Sequence, residues 1–425
     1  MTTAMAISQS RAARVTLTLL LIACAGAFAF SAAFYNEALT DAFFAFALGS
    51  VVILHLRVRP QWQDALFIVA GAVLMVVVDF RVLHYTPTVV AWLSFAGLSS
   101  LSIMAIRAVW AEDRGTAWKL LSACAPAALF VASDYFASTM LEWTSAAHPK
   151  TLDLYLLSFD YSLRVQWAFV AGQMYALRPW LHNISLLAYV GLAIPIALVY
   201  GGRLVRFKEK AFPAMLAFLI TGPLGVLFYN VFPACGPRAL FQQGFPFHPF
   251  PMDQAPRLLL ESVAIAGPRN AIPSLHLAWM LLAWWYSRGL SWFERLIAFA
   301  FLALTVFATL GTGEHWFVDL IVAFPFALLI QGICAYSVSW KDSRRLAAFL
   351  SGLLGTLAWL GMLRYGTRFF WTSPIIPWGL AAATVALSCI RQRSLDNAVE
   401  TANRAEDSPD APALLPALET RLPAS

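Results

Sequence analysis

Two of the seven histidines stand where apolar stretches begin, His276 in NAIPSLH and His315 in GTGEHWFVD. Asp319 follows His315 by four positions, which on a helix places both on one face. A carboxylate so placed can take a hydrogen bond from one imidazole nitrogen and leave the other as nucleophile or base. Arg238 and Arg269 lie just upstream of His276, and guanidinium groups neutralise phosphate oxygens through bidentate hydrogen bonds. Two nitrogen bases, a carboxylate and two guanidiniums suit phosphoryl transfer: one histidine attacks phosphorus and the other protonates the leaving oxygen. No carboxylate cluster of metal-site type accompanies them, which favours a route without metal or cofactor over a two-metal one. Ser274 either caps the helix that His276 begins or contacts the substrate.

The elements that must position these groups follow from composition. The 425-residue chain is 60% hydrophobic and only 12% charged, about half the charged share of a soluble domain. This predicts an all-α polytopic membrane protein. Apolar windows suggest about twelve transmembrane helices, near 15–35, 39–56, 64–80, 87–106, 117–141, 183–202, 211–231, 274–289, 293–311, 315–338, 344–363 and 370–390. The first window is long for the core of a signal peptide and reads as an uncleaved helix. The net charge of +6 is dispersed at segment ends, so no nucleic-acid partner is implied. The five cysteines show neither a CxxC pair nor a metal spacing.

Charge orients this arrangement. With a cytoplasmic N-terminus, alternating spans leave Arg81, Lys150, Arg164, Arg178, Arg238, Arg257, Arg269, Arg364 and Arg368 outside and the other 20 of the 29 Lys and Arg inside. The positive-inside bias therefore predicts both termini in the cytoplasm. His276, His315, Asp319, Arg238 and Arg269 then share the outer face, that of the cell inner membrane. The chain divides into an N-terminal membrane region of four helices (1–116), a catalytic six-helix core (117–340), two additional helices (341–394) and a disordered cytoplasmic tail (395–425). Within the outer loop 142–182, TLDLYLLSFDYSL reads as an amphipathic interfacial helix, with Asp153 and Asp160 facing a headgroup or solvent. The loop 232–273 is rich in Pro, Gly and Phe, as in a lid or headgroup pocket. Glu314 reads as a solvated rim residue and Asp79 as interfacial. Asp134 lies deeper and could hydrogen-bond within the bundle.

PSLH and GEHWFVD, 39 residues from histidine to histidine, resemble the second and third signature motifs of the type 2 phosphatidic acid phosphatase superfamily. Leu275 stands where the usual pattern has Gly, which is more similar to the inositol phosphorylceramide synthase branch. FPACGPRALF and TLDLYLLSFD also resemble that branch, and the resemblance runs from about Leu120 to Trp340. It implies a phosphohistidine formed on His315, orientation of His315 by Asp319, leaving-group protonation by His276 and phosphate binding by Arg238. The cations of the plain phosphatases would fall at Val231 and Thr309, where neither residue is basic. A phosphodiester carries less charge than a phosphomonoester dianion, so this departure favours headgroup transfer, with Arg269 supplying part of the missing charge. The expected substrate is a membrane lipid, and the acceptor a polyol or lipid alcohol. The alternatives are a lipid phosphate phosphatase and, from another class, a transporter-like protein that keeps the fold without catalysis.

Overall fold

The computed structural model describes residues 14–15, 17–20, 22, 41–84 and 88–406. In chain order its main helices are α1 (Ala42–Val58), α2 (Trp62–Val78), α3 (Val89–Trp110), α4 (Arg114–Ala147), α5 (Asp153–Ser162), α6 (Trp167–Leu177), α7 (Pro179–Val190), α8 (Ala193–Phe207), α9 (Phe212–Val231), α10 (Pro237–Phe241), α11 (Leu275–Tyr286), α12 (Trp292–Gly311), α13 (Phe317–Cys334), α14 (Ser343–Tyr365) and α15 (Ile375–Glu406). Their starts follow local chemistry. Asp41, Thr88, Asp113 and Asp342 each place a side-chain oxygen on a first-turn N–H, and Ser291 with Glu294 forms a reciprocal capping box at α12. One two-residue pair, β1 (Lys150–Thr151) antiparallel to β2 (Val263–Ala264), ties two loops together.

Among the described residues eight helices are long and apolar enough to cross a membrane, or nine if the bent pair α7–α8 is one span. Several apolar helices of this kind mark an integral membrane protein. The window expected at 15–35 lies mostly outside the described residues. The window at 274–289 forms α11, whose twelve residues reach only about 18 Å. The axis of the bundle is α13. Of its residues 83% are buried, against 22–44% in the other spans. Its sequence is apolar on every side, so no face is suited to solvent. Around it pack α5, α9, α11, α14 and α15.

The structure differs from the sequence expectation at two elements. The first concerns α5, which is no interfacial helix, since nine of its ten residues are buried. Its carboxylates point inward and accept backbone N–H groups, so the mixed pattern mimics a solvated face. The second concerns the tail expected to be disordered from residue 395, because α15 continues to Glu406. Leu395 is fully buried. Asp396 binds Arg288 at 2.6 Å, Gln331 at 2.8 Å and Gln392 at 2.6 Å, which anchors this end of the helix to the bundle. Residues 407–425 lie outside the described residues, as does the side chain of Asp134.

The N-terminal helices are bolted to the rest. Arg57 on α1 donates to Glu294 of the α12 capping box at 2.7 Å. Asp64 on α2 is fully buried and receives Arg107 of α3 at 2.9 Å. His55, to which the sequence assigns no partner, sits between Ser100 and Asp64 at 2.9 and 3.4 Å. Asp160 on α5 accepts from Phe317 N–H at 2.7 Å and Val318 N–H at 3.1 Å, at the start of α13. Removing a cap of this kind costs about 2 kcal/mol at the upper end. Asp160→Ala should therefore lower the thermal unfolding midpoint in detergent by several degrees. An unchanged midpoint would show that α13 does not depend on this cap.

Candidate active site

His315 lies in the connection between α12 and α13, two residues before the helix begins. It and Asp319 therefore do not share the helical face that their spacing predicts. The helix starts at Phe317 because Asp319, at its third position, accepts the Trp316 N–H at 2.7 Å. That bond leaves the Asp319 carboxylate 3.5 Å from His315 Nδ1, too long for a good hydrogen bond. Instead Nδ1 reaches the Ala271 carbonyl at 2.8 Å. A carbonyl can only accept, so Nδ1 carries the proton and the Nε2 lone pair is left for chemistry. The hydrogen bond expected from Asp319 is thus made by a backbone oxygen, with the carboxyl group just beyond it. One carboxylate oxygen, Oδ1 of Asp319, is buried without a hydrogen-bond partner.

His276 occupies the first turn of α11, and its ring centroid is 6.4 Å from that of His315. The sequence-predicted pair is therefore brought together. Ser274 precedes α11 as its cap residue, yet its hydroxyl makes no capping bond. The Oγ is buried without a partner, while the Ser274 N–H donates to the Asp319 carbonyl at 3.2 Å. A hydroxyl and the orphan N–H groups of a helix start are suited to phosphate oxygens.

Arg238 belongs to α10 and is exposed. Its N–H donates to the Gly313 carbonyl at 2.9 Å, which ties the loop of the first motif to the loop that carries His315. The contact requires two glycines. Gly236 has φ 111° and a Cβ there would meet the Glu314 carbonyl oxygen at 2.3 Å. Gly313 has φ 74° and a Cβ there would lie 2.9 Å from Arg238 Cβ. Asp153 fastens the same two loops. Its carboxylate accepts from Cys235 N–H at 3.0 Å, Gly236 N–H at 2.8 Å and Trp316 Nε1 at 2.9 Å.

Arg269 departs from expectation. It is 4% exposed, and its guanidinium donates to the carbonyls of His148 at 2.9 Å, Pro149 at 3.1 Å and Gly267. It also contacts Cys235 Sγ at 3.7 Å. The side chain clamps loop backbone and is not free for phosphate, a correction that sequence spacing could not supply because the partners are carbonyls. Thr309 is buried, and its hydroxyl turns back to the Thr305 carbonyl at 2.9 Å. Among the described residues no three His, Cys, Asp or Glu side chains are placed to share a metal ion.

Sequence reasoning missed four contributors. Asp153 and Asp160 were assigned to a headgroup or solvent, although their seven-residue spacing, two turns on one face, was the available signal. Ala271 acts through its carbonyl and leaves no trace in the sequence. Tyr189, at the end of α7, stacks on His276 with centroids 3.9 Å apart and planes 15° apart. Glu314, read as rim, is half-buried beside His315. Burial pushes the His315 imidazole down to about 4, opposed by the Glu314 charge and the Ala271 hydrogen bond.

A helical membrane bundle with two apposed histidines is consistent with a phosphoryl-handling enzyme, and residues 154–333 match the family model described as PAP2 superfamily. That superfamily consists of phosphatases and phosphotransferases, and the match supports a lipid phosphoesterase-type function. It spans α5 to α13 and includes every sequence-predicted site residue. No match was found among curated proteins or solved structures.

Two outcomes follow from this geometry. Arg269→Ala should destabilise the protein by about 2–4 kcal/mol, whereas Arg238→Ala should leave the unfolding midpoint unchanged, as thermal melts would resolve. The second outcome is pH dependence. Above pH 6.5 His315 is neutral in both folded and unfolded chains. As pH falls from 6.5 towards 4 only the unfolded chain gains the proton, so stability drops across that window. The slope should reach at most about 1.4 kcal/mol per pH unit, and His315→Gln should remove that share of it.

Proposed function

We propose that the protein transfers a phospho-headgroup from a phospholipid to an alcohol acceptor through a phosphohistidine on His315. The observation that carries this reading is the locked tautomer of His315: Nδ1–H is held by the Ala271 carbonyl and the Nε2 lone pair stands free beside His276. In the first step Nε2 attacks phosphorus, the bond from phosphorus to the lipid alcohol oxygen breaks, and His276 delivers a proton to that oxygen. In the second step the acceptor hydroxyl attacks the phosphohistidine, His276 removes its proton, and the bond from phosphorus to nitrogen breaks. Ser274, the start of α11 and Arg238 would hold the phosphate oxygens.

Charge favours transfer over hydrolysis of a monoester. Position 309 is not basic, and Arg269 is engaged by carbonyls. The remaining cationic charge suits the single negative charge of a phosphodiester better than a dianion. The family match equally accommodates a lipid phosphate phosphatase, and the same assay separates the two. The arginine and lysine distribution supports an outer-face site with both termini cytoplasmic.

The test is turnover of labelled phospholipids by purified protein in detergent, with and without inositol or another polyol. Headgroup transfer to the polyol is expected, with EDTA having no effect. His276→Ala should cost about 10²- to 10⁴-fold, and His315→Ala should abolish both turnover and an acid-labile, base-stable phosphoryl label on the protein. Release to water alone would select the phosphatase reading. Full activity in His315→Ala would end the proposal.

A further inference from the structure

The ring of His276 has an unusual support. Among the described residues no hydrogen bond reaches either of its ring nitrogens, although the proton-transfer role assigned above demands a fixed ring plane. What surrounds it is aromatic. Tyr189 lies face-on at 3.9 Å and 15°. Phe43 approaches at 5.8 Å and also meets Tyr189 edge-on at 5.7 Å. Trp279, one turn along α11, stands at 6.3 Å and nearly perpendicular, its indole N–H fixed on the Phe218 carbonyl at 2.9 Å. These elements come from four parts of the chain. Phe43 belongs to α1, well before the segment 154–333 that matches the family model.

We infer that Tyr189 is a positioning residue that sets the ring plane of His276 by face-on stacking, and that Phe43 backs it, so that α1 completes the catalytic site. The inference rests on the histidine-pair reading above. Its physical basis is twofold. A stacked ring pair resists tilting, and tilting would turn the His276 nitrogen away from the leaving oxygen; displacements of about 1 Å at a reacting group can cost 10²-fold in rate. In each turnover His276 also passes through its protonated form, and an aromatic face beneath a cation stabilises it. Tyr189 is suited to both, because it sits where α7 gives way to α8 across a 51° bend. Arg57 and Glu294 anchor α1 to α12 at the end of α1 opposite Phe43.

Three variants and one spectrum test this. Tyr189→Phe keeps the stack and should retain kcat within about twofold. Tyr189→Leu removes it, and kcat should fall by about 10- to 100-fold with KM within about twofold. Phe43→Leu should give a smaller loss of kcat in the same direction. In protein carrying ¹³C-labelled histidine, the His276 ring protons, assigned by their disappearance in His276→Asn, should be displaced upfield by the Tyr189 face. This displacement should persist in Tyr189→Phe and vanish in Tyr189→Leu. Unchanged kcat in Tyr189→Leu, a loss through KM alone, or equal damage in Tyr189→Phe would overturn the inference while leaving the function standing. A wild-type protein that shows the upfield signal but turns over no phospholipid would overturn the functional reading, and the positioning role with it.

Discussion

Buried backbone N–H groups govern how this site is assembled. Two loops must leave the regular helices to bring Arg238 and His315 together, and each exposes amide groups inside an apolar bundle where water is scarce. Asp153 and Asp160 on α5 supply the missing acceptors. Asp153 joins Cys235 and Gly236 to the Trp316 indole, and Asp160 takes the first two amides of α13. Because a carboxylate accepting several N–H groups is directional, the bonds set position as well as stability. With α5 so placed, Gly236 and Gly313 can come into backbone contact, and Ala271 can meet His315.

His315 gains a defined tautomer from that packing, and the charge that acts on it comes from Glu314. This division differs from a simple His–Asp pair. A carbonyl cannot change its role by gaining a proton, so the lock on Nδ1 does not depend on pH. Asp319 in turn is occupied with starting α13, and one side chain thereby links the start of the central helix to the place of the histidine. Cationic charge is sparing by contrast, since Arg269 serves the loops and Thr309 serves its own helix.

The helices before the family-matched segment are integral to this arrangement. The pairing of Arg57 with Glu294 and the Asp64 cluster join α1, α2 and α3 to one another and to α12. One end of the unit is fixed by polar bonds, and at the other end an aromatic group surrounds His276. A boundary drawn by sequence similarity at residue 154 therefore cuts through packing that reaches His276.

Much was legible in the sequence. Apolar runs are long because a bilayer requires them, so the helices, their approximate limits and the membrane class could be read directly. Pro-Ser before one histidine, and an aspartate four residues beyond the other, marked both histidines as a pair. Other features depended on contacts between distant segments. Periodicity cannot say whether a carboxylate faces water or a buried amide, so Asp153 and Asp160 were misread. Spacing cannot say whether a guanidinium meets phosphate or carbonyl, so Arg269 was misread. The sequence by itself determined the helical bundle and the histidine pair, since hydrophobic length and residue chemistry are local properties. Only the tertiary structure decided that His315 is held by Ala271, that α5 is an internal bolt and that Tyr189 lies against His276. Each of these is a contact across at least 44 residues, which no local pattern encodes.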